Sequence, residues 1–370
     1  MKQPEDRHVY AVIMAGGVGS SLWPLSRKEH PKQFIQFLDG GTMIRKTVER
    51  ISGAVLPENI YIITGKHHHH LIRESLPDFQ EANIITEPNV RDTAPCIALA
   101  TTVIMNRDPE AVTIVLPSDH LVFDEEQFLR VVEKGVLFAR EKGGLVTIGI
   151  QPDRPETRYG YIQASASVML EDEPDDGSGI PVYRVKTFAE KPDLNTAQQF
   201  LQSHDFWWNS GVFIWHVQTI CSEFRRSMPE LYQDMLTIQQ TLGTERQDEV
   251  INNVYSWIHP ISVDYGIMEK AAKVYMLEGH FGWTDLGSWD EVINAVRLNG
   301  DEHPSKDILK VDSENVFVRK PKQKVVVTIG LTDLIVIDTP DALLICRAGS
   351  SQDIRKAVDT LRREGLEEYL

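Results

Sequence analysis

A glycine-rich loop near the start of the chain carries the residue types that bind phosphate. Three glycines lie within residues 16–19, directly after the apolar run 9–14. Glycine has no Cβ, so the backbone can reach positive φ and bring its N–H groups close to phosphate oxygens. Arg27 and Lys32 follow, and their cationic side chains suit anionic oxygens. We therefore predict a site for a phosphate-bearing ligand, with Arg27 and Lys32 among its catalytic residues.

Two aspartates are the candidate metal ligands. Asp119 follows the apolar run 112–116, and a carboxylate at the carboxyl end of a parallel strand lies where open α/β sheets bind ligands. Asp285 lies in a turn among aromatic residues and glycines, where burial would raise the pKa of its carboxyl unless a cation were present. Mg²⁺ prefers one or two carboxylates together with substrate phosphates and water. We predict that Asp119 and Asp285 share one Mg²⁺ ion.

Apolar runs and helical patterns alternate along residues 1–300 and must form the elements that position these side chains. A strand, loop, helix and strand in succession imply a parallel α/β unit. We predict an α/β domain over residues 1–300 with a Rossmann-like, doubly wound mixed sheet. Its predicted strands are 9–14, 60–64, 84–88, 112–116, 145–149, 182–189, 206–215 and 273–278, and its predicted helices are 43–55, one from near 94, 125–140, 194–202, 217–227 and 231–242.

The composition changes after Gly300. The polar, turn-rich linker GDEHPSKD is followed by short β segments separated by Pro, Gly and Asp. We predict a small β-rich domain over residues 308–370 that ends in a helix. No internal repeat is strong enough to predict a long solenoid. The predicted segments of this domain are strands 315–319, 324–329, 334–338 and 342–347 and helix 352–363.

Length and charge narrow the range of functions. The 370 residues suffice for one large and one small domain. The net charge of -16 repels nucleic acid and anionic membrane surfaces. No apolar run approaches the ~20 residues of a membrane span, and the first residues lack the apolar core of a signal peptide. We therefore expect a cytoplasmic protein that binds neither nucleic acid nor membranes.

Histidines and cysteines give weaker signals. The run His67–His70 invites a metal site, but consecutive residues point in different directions around a helix, so at most two imidazoles could converge. We predict a solvated helix start there. Cys96, Cys221 and Cys346 are widely spaced and show neither a metal-ligand nor a disulfide pattern. We expect them to be buried or free thiols in a reducing compartment.

The stretch AGGVGSSLWPLSRKEHPKQF, residues 15–34, resembles the signature of the sugar-1-phosphate nucleotidyltransferases. Its LWPLSR and PKQF parts are most similar to the mannose-1-phosphate guanylyltransferase branch, and its glycine spacing fits neither G-x-G-x-x-G nor the P-loop. Six separated motifs occur in the family's order along nearly the whole chain. The resemblance implies a GT-A-like nucleotidyltransferase fold with a β-helix-like C-terminal domain, Mg²⁺ as cofactor, and GTP and mannose 1-phosphate as substrates. It leaves a homodimer open.

The segment EPNVRDTAP, residues 87–95, resembles the family's guanine-recognising segment. Asp92 or Thr93 can cap the helix that follows, and this cap alone would explain much of the sequence. A carboxylate can accept both hydrogens that guanine presents at N1 and N2, which adenine does not have. Glu87 or Asp92 is therefore our candidate base reader. The nucleotide-binding residues that the resemblance implies are Ala15, Gly16, Gly17, Gly19, Ser20, Glu87, Arg91, Asp92 and Ser118.

Four further strings resemble the family's sugar side: PDRPETRYGYIQ, FAEKP, WWNSGVF and ISVDYGIMEK. In the first, Tyr159 or Tyr161 could supply an aromatic wall. In the second, the family's carboxylate holds sugar hydroxyls and its lysine faces the sugar phosphate. The Asn-x-Gly of the third is hard to explain by packing, because glycine weakens a strand and usually admits a close neighbour. The implied sugar-phosphate-binding residues are Gly160, Tyr161, Glu190, Lys191, Asn209, Gly211 and Asp264, and the implied catalytic residues are Lys32, Arg27, Asp119 and Lys191.

One departure from the family concerns Ser20 and Ser21, where the family usually has Thr-Arg. Ser20 keeps a hydroxyl, but Ser21 removes a guanidinium that the family places on the nucleotide phosphates. Arg27 could fill the missing charge, or the chain could be a slow or substrate-shifted transferase. Two other functions stay open: a thymidylyl or uridylyl enzyme that acts on glucose 1-phosphate, and a sugar-nucleotide-binding relative without turnover.

Overall fold

A nine-stranded mixed sheet is the centre of the larger domain. The computed structural model describes residues 6–17, 19–169, 179–300 and 306–370, and the polar linker predicted after Gly300 falls mostly outside them. A small pair of strands, β5 and β11, lies beside the sheet. The strands up to residue 300 are β1 (Val9–Met14), β2 (Ile60–Gly65), β3 (Ile84–Glu87), β4 (Val112–Pro117), β5 (Leu121–Val122), β6 (Leu145–Ile150), β7 (Tyr161–Met169), β8 (Val182–Ala189), β9 (Phe206–His216), β10 (Val274–Gly279) and β11 (Trp283–Thr284).

The order of the strands brings several strand ends to one edge of the sheet. The order is β3-β2-β1-β4-β9-β6-β10-β8-β7. Strands β1 to β4 are mutually parallel, whereas β9 runs antiparallel between β4 and β6. The carboxyl ends of β1, β3, β4 and β6 therefore lie at the same edge, where ligands bind in sheets of this kind. This arrangement confirms the predicted mixed sheet.

Helices cover both faces of the sheet. Alternate residues of β1 show this division, because Ala11 and Ile13 belong to the core on one face and Tyr10 and Val12 to the core on the other. Two buried faces explain why the strands read as nearly continuous apolar runs. Helices α1, α2 and α4 pack on the first face, and α3, α6, α7 and α8 pack on the second. The helices are α1 (Met43–Ile51), α2 (His69–Ser75), α3 (Thr93–Arg107), α4 (Glu125–Lys142), α5 (Leu194–Ser203), α6 (Val217–Ser227), α7 (Pro229–Gln239), α8 (Gln247–Trp257), α9 (Trp289–Leu298) and α10 (Ile354–Arg363).

The chain after residue 306 forms a β-rich domain with two small sheets. Strands β12 and β14 pair in parallel, as do β13 and β15, and β16 runs antiparallel to β15. Val316 lies opposite Leu334 and Ile308 opposite Val326, so each coil advances by the same number of residues, as in a β-helix. The terminal helix predicted for this region is α10. The strands are β12 (Ile308–Val311), β13 (Glu314–Arg319), β14 (Val326–Ile329), β15 (Thr332–Asp338) and β16 (Leu343–Arg347).

The β-rich domain packs against the segment that follows the glycine loop. Leu22 and Trp23 share one apolar cluster with Trp289 of α9 and with Ile337 and Ile354 of the C-terminal domain. The indole nitrogen of Trp289 donates to the carbonyl oxygen of Trp23 (3.1 Å), and the Trp23 indole donates to the carbonyl oxygen of Tyr369 (2.6 Å). The two domains therefore meet directly behind the glycine-rich loop.

Several elements were not predicted from the sequence, among them helices α8 and α9 and strands β7 and β12. Among the described helices, none combines the length and apolar character that a bilayer span requires.

Candidate active site

The ammonium group of Lys32 joins the two predicted metal ligands. Lys32 is 5% exposed, and its Nζ lies 2.7 Å from Oδ2 of Asp119. The same nitrogen donates to the backbone carbonyl oxygen of Asp285 at 2.5 Å. Residues from three distant parts of the chain, after β1, after β4 and after β11, therefore converge at the edge of the sheet.

Asp285 is held in its ionised form. Its Oδ1 accepts hydrogen bonds from the Tyr159 hydroxyl (2.7 Å) and from the backbone N–H of Gly287 (2.9 Å). Burial alone would raise the pKa of Asp285, but the charge of Lys32 and the hydrogen bond from Tyr159 outweigh burial and hold the pKa below its ordinary value. A buried carboxylate at this position needs a cation beside it, and Lys32 provides one.

The donor set fits a hard divalent cation. Asp119 and Asp285 offer oxygen ligands, and the described residues contain no group of three or more His, Cys, Asp or Glu side chains that could form a complete protein cage. Mg²⁺ is the ion that uses one or two carboxylates and takes its remaining ligands from substrate phosphates and water. His120 lies beside the pair, and burial lowers the pKa of its imidazole, so it adds no permanent charge.

The glycine-rich loop is held in place between β1 and the segment that carries Lys32. Gly19 has φ of 65°, and a Cβ at this position would lie 2.7 Å from Cβ of Lys32, so the turn requires glycine. The side-chain amide of Gln33 donates to the carbonyl oxygens of Ala15 and Gly17, both at 2.9 Å. Gln33 was not predicted as a site residue. Its position one residue after Lys32 in the PKQF string was the signal available.

Glu87 is a buried carboxyl without a hydrogen-bond partner. It is fully buried at the end of β3, and neither of its oxygens has a partner among the described residues. Burial raises the pKa of Glu87 to about 8, and the nearby Tyr255 offsets this rise only in part. The effect of Tyr255 is limited because its hydroxyl donates to the carbonyl oxygen of Pro95 (3.1 Å). A Cβ on Gly16 would lie 3.6 Å from Oε2, which places the carboxyl under the phosphate loop. A buried carboxyl that the protein leaves unpaired can be explained by a ligand that pairs with it.

The neighbours of Glu87 have structural partners. Asp92 caps α3 through a hydrogen bond from the N–H of Thr93 (2.7 Å), and its side chain is otherwise exposed. The guanidinium of Arg91 donates to the carbonyl oxygen of Tyr255 at 3.2 and 3.3 Å.

Two predicted nucleotide-binding serines differ in exposure. Ser118 is buried, and its N–H donates to the carbonyl oxygen of Met14 (3.0 Å). Ser20 is exposed in the turn Ser20–Leu22. Ser20 is thus open to a ligand, whereas Ser118 ties the end of β4 to the end of β1.

A cavity of about 220 Å³ lies next to Asp285. Tyr159 and Asp285 form one of its walls, and Thr93 and Trp283 contribute to others. Strand β9 has a bulge where it lines the cavity. Gly211 has φ of 70° at this point, and the pairing of β9 with β6 shifts there. Six of the predicted sugar-phosphate-binding residues line this cavity: Gly160, Glu190, Lys191, Asn209, Gly211 and Asp264.

The polar residues of the cavity pair with one another in two groups. The Asn209 amide nitrogen donates to Oδ1 of Asp264 (2.8 Å), and its oxygen accepts from the N–H of Gly211 (3.1 Å). Burial and the charge of Glu190 raise the pKa of Asp264 to about 7. Lys191 pairs with Glu190 at 3.0 Å. The cavity therefore presents amide and carboxyl groups to a polyhydroxylated ligand and one ammonium to an anion.

Tyr161, predicted for this site, lies in the core. It is fully buried in β7, and its hydroxyl accepts a hydrogen bond from the N–H of Glu156 (3.0 Å). Tyr159, the other tyrosine of the Tyr-Gly-Tyr turn, lies before the strand begins and reaches the cavity instead.

Arg27, predicted to be catalytic, lies away from the cavity. Its Nη1 and Nη2 form a bidentate ion pair with Asp341 at 2.7 and 2.8 Å, and its Nε donates to the carbonyl oxygen of Pro24 (2.9 Å). Because Asp341 belongs to the C-terminal domain, the guanidinium is used to join the two domains.

The histidine run and the cysteines have structural roles. Among His67–His70, His68 shares a hydrogen bond with the carbonyl oxygen of Lys28 (2.8 Å), and His69 lies 2.8 Å from Glu81. Cys96 and Cys221 are buried and Cys346 is half-buried, and all three are free thiols.

Comparisons with known proteins identify the family of the chain. The nucleotidyl transferase family model matches residues 10–301, and the model of a mannose-phosphate isomerase/GMP-like β-helix domain matches residues 306–361. Mannose-1-phosphate guanylyltransferase of Escherichia coli K12 is 35% identical over 98% of this chain and 75% of that protein. The alginate biosynthesis protein AlgA of Pseudomonas aeruginosa is 33% identical over 96% of this chain and 73% of that protein. This chain thus spans about three quarters of their length.

A solved structure shows the same fold over nearly the whole chain. The crystal structure of a Thermus thermophilus protein, described as a mannose-1-phosphate geranyltransferase, superposes with a TM-score of 0.80 at 30% identity. It covers 96% of this chain and 99% of that one. With this fold and the family model that matches residues 10–301, the chain is a nucleotidyltransferase. Within that class it belongs to the mannose-1-phosphate guanylyltransferase family.

We expect Arg27→Ala and Asp341→Ala to behave alike, because the two side chains serve one contact. Each variant should lower the free energy of unfolding, with a coupling of about 1 kcal/mol in a double-mutant cycle, since Asp341 is 46% exposed. Urea unfolding of the four proteins measures the coupling. If Arg27 bound phosphate instead, Arg27→Ala alone would raise KM for GTP.

Proposed function

We propose that the protein transfers a guanylyl group from GTP to mannose 1-phosphate, which gives GDP-mannose and pyrophosphate. Two of its relatives are named mannose-1-phosphate guanylyltransferase, after this reaction. The observation that carries the proposal is the junction of Lys32 with Asp119 and Asp285 beside a polar cavity. This junction joins a loop suited to a triphosphate with a cavity suited to a sugar phosphate.

The reaction needs no protein nucleophile. A phosphate oxygen of mannose 1-phosphate is anionic at neutral pH and attacks the α-phosphorus of GTP. The bond from that phosphorus to the bridging oxygen of the β-phosphate breaks in line, and pyrophosphate leaves. Catalysis then depends on positioning and on neutralising charge at the α-phosphate.

The phosphate-side residues supply positive charge and N–H donors. We assign the amides of Gly16, Gly17 and Gly19 and the ammonium of Lys32 to the triphosphate. Asp119 and Asp285 would hold Mg²⁺, which neutralises charge on the α-phosphate when it is bound. Lys191 would align the phosphate of the sugar.

The remaining residues select the substrates. Asn209, Glu190 and Asp264 would bond to the sugar hydroxyls, and Gly160 lies under the carboxylate of Glu190. Glu87 would read the guanine, because its unpaired oxygens could accept hydrogens from both N1 and N2. A site built to bond these hydrogens rejects a base that lacks them.

The cellular setting is part of the proposal. GTP is a cytoplasmic nucleotide, and three free thiols suit a reducing compartment.

We propose a homodimer in which the exposed aliphatic face of β12 and β14 is covered by a second copy, because Leu309 lies opposite Val327 and Val311 opposite Ile329 on that face.

Pyrophosphate release tests the activity directly. GTP, ATP, UTP and dTTP are each supplied with mannose 1-phosphate and with glucose 1-phosphate, in the presence of Mg²⁺. Release with GTP and mannose 1-phosphate above all other pairs supports the proposal. Preference for another pair would favour a related transferase, and binding in calorimetry without release would favour a sugar-nucleotide sensor.

Lys32→Ala should be nearly inactive, with a loss of ~10²- to 10³-fold in kcat, because it removes a cation from the reacting phosphates. The same assay measures this loss. Lys28→Ala is the matched control, since Lys28 is an exposed lysine of the same segment. Normal turnover by the Lys32 variant would refute the role of Lys32.

Ser21→Arg should raise kcat/KM, because Arg27 is occupied by Asp341 and cannot supply the charge that Ser21 lacks. We expect a gain of ~10-fold, less than the ~10²- to 10³-fold that one optimally placed donor contributes. His30→Arg adds an arginine at an exposed position of the same segment, outside the assigned binding residues, and is the control. Unchanged kinetics in Ser21→Arg would show that another group already compensates.

Glu87 should release its proton when GTP binds. With a pKa of about 8, Glu87 is mostly protonated at pH 7, whereas the reader of guanine must be a carboxylate. Titration calorimetry in two buffers of different ionisation enthalpy should show about one more proton released by the wild type than by Glu87→Gln at pH 7, and less at pH 9. Asp92→Asn is the control for the other candidate reader. Equal proton release by the wild type and Glu87→Gln would rule out this role.

A further inference from the structure

We propose that Arg158 is a catalytic residue that binds the phosphate group of the sugar substrate. Its guanidinium lines the same cavity as Lys191 and Asp285. None of the family-like strings assigned it a role. The inference rests on the proposed function, because it names the group that Arg158 would contact in that cavity.

The guanidinium is fixed along one edge. Nε and Nη2 donate to Oε1 and Oε2 of Glu156 at 3.0 and 2.7 Å, and Nη2 also donates to Oε1 of Glu291 at 2.6 Å. The Arg158 side chain is 15% exposed, and that of Glu156 is 4% exposed. A bidentate carboxylate fixes the plane of a guanidinium as well as its position. Arg158 is therefore oriented before any ligand arrives.

The other edge is available to a ligand. Among the described residues, no hydrogen-bond acceptor contacts Nη1. This nitrogen lies against Gly287, where an added Cβ would collide with it and would lie 2.9 Å from both carboxylate oxygens of Asp285. The absence of a side chain at Gly287 thus allows Nη1 and the Asp285 carboxylate to approach each other. An anion bound in the cavity beside Nη1 would receive N–H bonds from Arg158.

A phosphate group in the cavity needs donors besides Lys191. The acidic lining residues of the cavity are Glu190, Asp264 and Asp285, whereas its basic ones are Lys191, His120 and Arg158. Lys191 is 63% exposed and already paired with Glu190. A single paired ammonium offsets little of the charge of a phosphate monoester. A guanidinium supplies parallel donors that match two phosphate oxygens.

Arg154 shares the two glutamates that hold Arg158. Its Nη2 lies 2.9 Å from Glu291 and its Nε 3.8 Å from Glu156. Two guanidiniums therefore face two carboxylates, so the charges within this cluster balance, and Arg158 offers a ligand the N–H donors of Nη1 rather than a net positive charge. Arg154 is stacked on Trp208 (4.9 Å to the ring centroid) and does not line the cavity. It is the matched control for Arg158.

The test compares Arg158→Gln, Arg158→Lys and Arg154→Gln with the wild type. We expect Arg158→Gln to raise KM for mannose 1-phosphate by ~10- to 100-fold, the effect of losing a charged hydrogen bond, with KM for GTP within ~3-fold of the wild type. Arg158→Lys should lie between the two, and Arg154→Gln should stay close to the wild type. Thermal unfolding shows whether each variant is folded, and Arg158→Lys keeps the test valid if Arg158→Gln is not.

A binding measurement without metal separates contact from metal positioning. Calorimetric titration of the metal-free protein with mannose 1-phosphate should show weaker binding to Arg158→Gln than to the wild type, and titration with pyrophosphate should show no difference. Unchanged metal-free binding of mannose 1-phosphate, or equal effects of Arg158→Gln and Arg154→Gln, would overturn the proposal. A wild type that neither binds nor uses mannose 1-phosphate would contradict the proposed function itself. A fully active wild type beside an Arg158→Gln variant with unchanged KM would contradict only the role of Arg158.

Discussion

The site depends on the ion pair between Lys32 and Asp119 and on the hydrogen bond from Lys32 to the backbone of Asp285. A lysine that is 5% exposed would destabilise the fold if its charge were unpaired, because burying an isolated ammonium costs several kcal/mol. The pairing that removes this cost also fixes the relative positions of the loop after β1, the end of β4 and the turn after β11. The neighbouring Gln33 and Tyr159 extend the constraint, since they hold the glycine loop and the Asp285 carboxylate. The same contacts thus stabilise the fold and fix the geometry of the proposed phosphate site.

Helix α9 connects the C-terminal domain with the site. Asp290 accepts hydrogen bonds from the N–H groups of Gly349 and Ser351 in the C-terminal domain. The next residue, Glu291, accepts from Gly287 in the turn that carries Asp285 (2.7 Å) and from Arg158. Adjacent residues of one helix therefore connect the β-rich domain with the metal-ligand turn, while Arg27 and Trp23 connect it with the phosphate loop.

Local patterns in the sequence predicted most of the fold, and long-range partners account for much of what they missed. β1 and α4 were predicted because an apolar run and a helical pattern are local signals, and the structure adds that Asp124 caps α4 by accepting from the N–H of Gln127. α9 also carried a local signal, because Ser288 and Glu291 have the spacing of a capping box, but its helix was not recognised. Arg27 could not be placed, since its partner Asp341 is 314 residues away. A sequence shows that an arginine is near a phosphate loop, but only the folded chain shows which acceptor it reaches.

Two acids, Glu87 and Asp264, have raised pKa values for the same physical reason. The pKa of Glu87 rises to about 8 and that of Asp264 to about 7 because both carboxyls are buried. A group with a raised pKa contributes its full stability at pH values below its pKa in the unfolded chain. This contribution is lost as the pH rises through the pKa of the group in the folded protein. For Glu87 the window runs from its ordinary 4.5 to about 8, so near-neutral pH lies where the fold already loses stability by burying this group. No hydrogen bond within the described protein offsets that loss at Glu87, whose oxygens have no partner there. A base that donates two hydrogen bonds would offset it, and selectivity for such a base would follow from the burial itself.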